Sequence, residues 1–222
     1  MSEDEFLETP PSYDDLYMAR GDEVEPLRPV FTGDVFEHPE GLLMLVQHPC
    51  ALRRGAYLHP RLLVVEVEEG VVRSKWTKQA YTEMPLPDLF GDGKNYVAKF
   101  INVQVVDSDS LDPEIRVATL SQLGVNLLLQ RWVYHNTRVA IKTSTYDDQT
   151  FGPFNEAELL EDWMGEFPAK EDALLEFDKW IRDGNPSKQD KLKNTQSASG
   201  VRREMREYLK KLKKITALNS EQ

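Results

Sequence analysis

Cysteine is almost missing: Cys50 is the only one among 222 residues. No internal disulfide can form and no CxxC pair exists from which to build a zinc knuckle, so a reducing, cytoplasmic compartment is the expected location. Long apolar runs are missing as well. The longest, Leu42 to Val46, is far short of the roughly 20 residues that span a bilayer. The N-terminus reads MSEDEFLE, with acids where a secretory signal carries bases. The expectation is a soluble chain with no membrane partner.

Positive charge is in deficit. Twenty-seven Lys and Arg face 38 Asp and Glu, a formal net charge of -11, which works against broad attraction to nucleic-acid phosphates. Phosphate loops, dinucleotide fingerprints, a GxSxG elbow and HExxH are all absent, which removes the large catalytic motif classes. Nothing in the sequence calls for a cofactor.

What is present is unevenly distributed. From Met1 to Glu25 the acids Glu3, Asp4, Glu5, Glu8, Asp14, Asp15, Asp22, Glu23 and Glu25 face a single base, Arg20. With Pro10, Pro11 and Pro26 and no apolar period, residues 1–28 are expected to form an acidic, disordered tail. From Pro29 the text changes to short β-type runs at 30–36, 42–47, 62–68, 71–76 and 96–106, with Glu68-Glu69-Gly70 as a hairpin connection and 84–94 as a loop. Ser121 to Asn136 carries a helical stripe and 138–146 alternates as a terminal strand. Residues 29–150 therefore predict a β-rich core with one packed helix.

Asn155 with Glu158 reads as a helix start, and Ala173, Leu174, Phe177, Trp180 and Ile181 share one face of a second helix stopped by Gly184 and Pro186. Residues 151–184 predict a helical hairpin, 185–200 a flexible linker, and 201–222 a basic amphipathic helix. The fold class is α+β: a small antiparallel β-barrel or sheet core with helical additions at the C-terminal side.

The densest reactive group is His48 and Cys50 followed by Arg53, Arg54 and His59, directly after an apolar strand. A rigid strand ending in a Pro-bearing turn presents such groups well, and His48 with the arginines could stabilise a thiolate, so these five are the candidate catalytic residues. Imidazole and thiolate also suit zinc, but His48, Cys50, His59 and His135 match no compact zinc spacing, and no metal is expected. Arg131, His135 and Arg138 recur at i, i+4, i+7 and could clamp phosphate from one helix face. Arg202, Arg203, Lys210, Lys211, Lys213 and Lys214 could do the same from the C-terminal helix. On that helix Val201, Met205, Tyr208, Leu212 and Ile215 alternate 4, 3, 4, 3, a narrow seam that predicts binding to a protein partner or a second copy.

The stretch RPVFTGDVFEHPEGLLMLVQHPC resembles the opening of the PemK and MazF toxin family. Gly33, Asp34 and Val35 match its Gly-Asp-Ile/Val turn, and Leu42 to Val46 stands where its second apolar strand would. The resemblance covers about a fifth of the chain and implies an SH3-like barrel with RNA cleavage in its groove. The family's Arg-Pro lead-in to the second strand and the small hydroxyl residue at that strand's end are missing, since Gln47 and His48 follow Val46. Two functions are thus expected in order: a non-enzymatic binding or adaptor protein using its termini, and a nuclease or nucleic-acid-binding protein of a toxin or phage-defence type.

Overall fold

Alternating apolar side chains in the middle of the chain build one curled antiparallel sheet. The computed structural model describes residues 7–76, 81–168 and 172–220, with backbone alone for the last two. Its strands are β1 (Tyr17–Arg20), β2 (Val35–His38), β3 (Gly41–Leu45), β4 (Arg53–Arg54), β5 (Tyr57–Leu58), β6 (Arg61–Glu69), β7 (Glu83–Leu86), β8 (Tyr96–Asp107) and β9 (Arg116–Leu120). Seven join in the order β1-β9-β2-β3-β6-β8-β7, and β4 with β5 forms a separate small hairpin. The sheet curls into a half-barrel, and helices complete an α+β fold.

β2 and β3 form a tight hairpin with His38 opposite Gly41, and the long β6 and β8 form the spine through nine paired positions from Arg61↔Asp107 to Glu69↔Tyr96. Phe36, Leu43, Leu45, Leu62 and Val64 are buried. Helix α1 (Pro49–Leu52) is a single turn at the end of β3, and α2 (Gln122–Thr137) covers the curl. The Ser121 hydroxyl accepts from the Gly124 amide at 3.1 Å, and Arg138 closes the helix in the left-handed region at φ 62°, so both ends of α2 are capped.

Helices α3 (Asp147–Glu166), α4 (Ala173–Arg182), α5 (Lys188–Leu192) and α6 (Thr195–Ser220) form a second layer with its own core. Trp163 is its centre. Its ring is fully buried, stacks on Phe167 at 5.2 Å and Tyr208 at 5.6 Å, and meets Phe177 and Trp180 at 5.6 and 5.5 Å. Its indole N–H donates to the Ala173 carbonyl at 2.8 Å, so the one polar atom of this buried ring is satisfied.

Several expectations are corrected. Residues 7–28 do not behave as a tail: Leu7 and Leu16 are buried, β1 pairs with β9, and the Glu8 carboxylate accepts from Thr143 Oγ1 at 2.6 Å and the Thr143 amide at 2.8 Å. A four-residue edge strand is too short to show a period, so its order comes from contacts about 100 residues away. Gly124 records the docking, since a Cβ there would meet the Leu16 carbonyl oxygen at 2.2 Å. The acids of residues 1–6 lie outside the described residues.

The stretch 185–200 is helical rather than a linker. Ser187 Oγ caps α5 by accepting from the Asp190 amide at 3.1 Å, Leu192 is buried, and α6 begins at Thr195. One apolar residue in a five-residue helix leaves no periodic signal. The expected strands at 71–76 and 138–146 are absent, and β7 forms where a loop was expected. Helix α3 starts at Asp147, with Pro153 inside it, eight residues before the expected Asn155 cap.

Candidate functional site: a groove between the two layers

Of the sequence's leading candidates, His48 and Arg53 are engaged by the backbone around them. Gln47 clamps the α1 turn, its amide nitrogen donating to the Ala51 carbonyl and its oxygen accepting from the Leu63 amide at 3.1 Å. Within that turn His48 Nδ1 accepts from the Cys50 amide at 3.2 Å, so the imidazole is the N-cap of α1 rather than a free base. Burial lowers the pKa of His48 below its ordinary 6.5. Cys50 is exposed.

Arg53 reaches inward, donating to the Ala56 carbonyl at 2.9 Å and to the Val30 carbonyl. Desolvation lowers its pKa from 12.5 to about 10, which still leaves it charged at neutral pH. Arg54 and His59 are exposed. His135 packs against Trp132 and Phe100, with ring centroids 6.1 and 5.6 Å away. Among the described residues no three His, Cys, Asp or Glu side chains gather closely enough to hold a metal, so His48, Cys50, His59 and His135 form no metal site.

The expected phosphate face also dissolves. Arg131 is fully buried, lies 4.8 Å from the Trp76 ring centroid and donates to the Glu8 carbonyl at 3.4 Å. Burial drives its pKa down to about 9, and the helix side expected to face solvent is the side that packs. Arg138 folds onto its own helix end, donating to the His135 carbonyl at 2.6 Å and lying 4.1 Å from the Tyr81 ring. On α6, Arg202 bridges Asp162 at 3.0 Å and Glu158 at 2.8 Å. Arg203, Lys210, Lys211, Lys213 and Lys214 stay exposed.

The partner-binding seam is split. Val201 and Met205 are buried in the second core together with Leu209, and Tyr208 stacks on Trp163. Only Leu212, partly, and Ile215 face solvent. A helix repeats every 3.6 residues, so a 4, 3 alternation fits an internal core face as well as a seam for another chain.

The structure instead creates a site where its layers meet. The β4–β5 hairpin docks on α4 because the Asp178 carboxylate accepts from the Ala56 amide at 3.0 Å and the Arg182 Nε at 2.9 Å. This leaves a cleft of about 620 Å³ bounded by residues 26–30, the hairpin, residues 108–113, the end of α3 and the start of α4. Leu58, Leu111, Leu160, Met164 and Leu174 line it. Its outer lip holds Leu27 and Tyr57, 41% and 51% exposed.

Arg28 forms the inner wall, 3% exposed, paired with Glu161 at 3.2 Å and 4.9 Å from the Phe154 ring. Residues 108–113 supply the mouth, where Asp109 and Asp112 are exposed and no Lys or Arg occurs, while the neighbouring Asp107 pairs with Arg61 at 3.3 Å.

A smaller pocket of about 270 Å³ adjoins it through Arg53, Ala56 and Leu160. Cys50, Glu156, Gln189 and Lys193 line this pocket. Burial raises the Glu156 carboxyl above its ordinary 4.5, partly offset by the hydrogen bond from Gln189 and the charges of Arg182 and Arg53. Cys50 and Arg53 thus line one pocket, whose lining includes none of His48, Arg54 and His59.

Sequence reasoning missed the groove. Met164 and Leu174 were legible as apolar helix positions, but which faces stay uncovered depends on how the layers meet. No protein-family model matches the chain, and no curated protein matches it either. No helix among the described residues is long and apolar enough to cross a membrane.

Proposed function

We propose that the protein is a non-enzymatic binding or adaptor protein whose receptor surface is this groove, and that its ligand class is a basic amphipathic segment of a protein. The observation that carries the reading is the pairing of an apolar trough with an acidic mouth. Leu58, Met164 and Leu174 offer the surface that an apolar helix face or alternating strand buries, while Asp109 and Asp112 meet cations beside that face. Apolar burial at roughly 25 cal/mol per Å² supplies affinity, and the acidic mouth supplies orientation and on-rate. The structural employment of His48, Arg53 and Arg131 supports binding over catalysis.

The test is selection of displayed peptides against the full chain. Enriched peptides are expected to be basic and amphipathic, to bind less as salt rises, and to lose at least tenfold in affinity to Leu27→Asp. A solvatochromic dye on Cys50, beside the groove, reports occupancy directly. Selected peptides that bind wild type and Leu27→Asp equally, without shifting the dye, would put the receptor surface elsewhere and sink the reading.

A further inference from the structure

We propose that the groove's occupant is the projecting end of α6 from a second copy of the chain, exchanged reciprocally across a two-fold axis. This rests on the groove being a receptor surface, and it names the partner. The observation is an unfinished helix. Helix α6 is packed through Leu209, and its Lys213 ammonium is paired with the Glu166 carboxylate at the end of α3. Past that point it continues to Ser220, with Ile215 55% and Leu218 65% exposed. Residues 213–220 project about 12 Å at 1.5 Å per residue.

On a helix of 3.6 residues per turn Ile215 lies at the edge of the face that Val201, Met205 and Leu209 bury, while Leu218 lies on another side, so the tail leaves one uncovered aliphatic beside its packed face. Charge selects the groove as its partner. Between Tyr208 and Ser220 the helix carries Lys210, Lys211, Lys213 and Lys214 and no acid, whereas Asp109 and Asp112 line the groove mouth and the groove's two arginines, Arg28 and Arg53, are engaged by Glu161 and by the Ala56 and Val30 carbonyls. In a chain of net charge -11 most pairs of surfaces on two copies repel, and this pair attracts.

Position makes the exchange closed. Met164 lines the groove and Glu166, two residues further along α3, holds Lys213, so groove and projecting helix leave from the same end of one element. Each copy can therefore give its helix end and receive the other's in a single isologous interface, which doubles the contact without an open-ended chain. The helix is unbroken to Ser220, so its end does not turn back into the groove of its own chain.

The experiment is sedimentation of the full chain over a wide concentration range, with a tail variant, Ile215→Asp, and a groove variant, Leu27→Asp. Both side chains are exposed, so both variants fold, which circular dichroism verifies. Wild type is expected to dimerise and to dissociate as salt rises, and each variant to dimerise at least tenfold more weakly. An equimolar mixture of the two recovers intermediate association, because one tail and one groove remain intact in the mixed pair.

A wild type that stays monomeric, or a dimer indifferent to both variants, overturns the proposal. The proposal fails alone if selected basic peptides still bind the groove of that monomer. It falls together with the receptor reading if Leu27→Asp affects neither association nor peptide binding.

Discussion

Replacing Arg116 with Met tests whether one buried ion pair holds the groove's inner wall in place. The Arg116 guanidinium is fully buried and meets the Asp34 carboxylate, 1% exposed, at 2.8 Å. The same group donates to the carbonyls of Glu25 and Arg28 at 2.8 Å and of Pro29 at 3.3 Å. Asp34 in turn accepts from the Phe31 amide at 2.8 Å. The pair therefore fixes residues 25–34, which contain the groove-lining stretch from Pro26 to Val30. Gly33 completes the turn at φ +90°, where an added Cβ would meet Leu120 Cδ1 at 2.7 Å.

Methionine keeps much of the arginine's volume but leaves the Asp34 carboxylate buried without its cation. Breaking a buried pair from one side costs about 3–5 kcal/mol, a large share of the roughly 5–15 kcal/mol that holds a typical domain. At roughly 2–4 °C per kcal/mol for a chain of this size, the melting temperature is expected to fall by about 10 °C. Adding Asp34→Asn removes the stranded charge while keeping an acceptor for the Phe31 amide. The double variant is expected to be more stable than the sum of the single losses predicts, by at least about 1.5 kcal/mol. Urea unfolding of the four proteins gives the cycle. A loss below about 1 kcal/mol for Arg116→Met, or strict additivity, would refute the reasoning, because both outcomes mean that the carboxylate is already compensated by water or by other donors.

Two further outcomes are expected. Trp163→Ala removes the ring at the centre of the helical layer and should cost about 3–5 kcal/mol, with amides of α4 and α6 exchanging earlier than those of β6 and β8; uniform loss of protection would mean that the layers form one cooperative core. Burial raises the Glu156 pKa in the folded state, so the stability linked to its protonated form is present below about 4.5 and is lost as pH rises through the higher folded value. Glu156→Gln should then raise the melting temperature at pH 7 more than at pH 4, and an equal effect at both would contradict the shift.

The fold was legible where local pattern and tertiary demand agree. Leu42 to Gln47, Leu62 to Glu68 and Tyr96 to Val106 alternate or run apolar because their strands pack in the sheet, and β3, β6 and β8 lie there within a residue or two. Ser121 marks the start of α2 because a hydroxyl at an N-cap satisfies an amide that the helix leaves open. The stripes of Trp163 and of Phe177 with Trp180 announced a helical hairpin for the same reason of periodic burial.

What the sequence by itself could determine was therefore the class, α+β with a strand core and C-terminal helices, and most of its long elements. Tertiary structure alone decided the rest. Residues 7–28 become ordered through Glu8, Leu16 and Tyr17, whose partners are about 100 residues away and leave no local trace. Arg131 is a core residue rather than part of a phosphate clamp because the packing of α2, and not the spacing of its cations, sets which side faces inward. Val201, Met205 and Leu209 fill an internal core while Ile215 and Leu218 are left over, since periodicity records that a face is covered without recording what covers it. The groove belongs to no segment at all: it exists because the β4–β5 hairpin, residues 26–30 and the end of α3 meet at an angle that leaves space, and only three-dimensional packing fixes that angle.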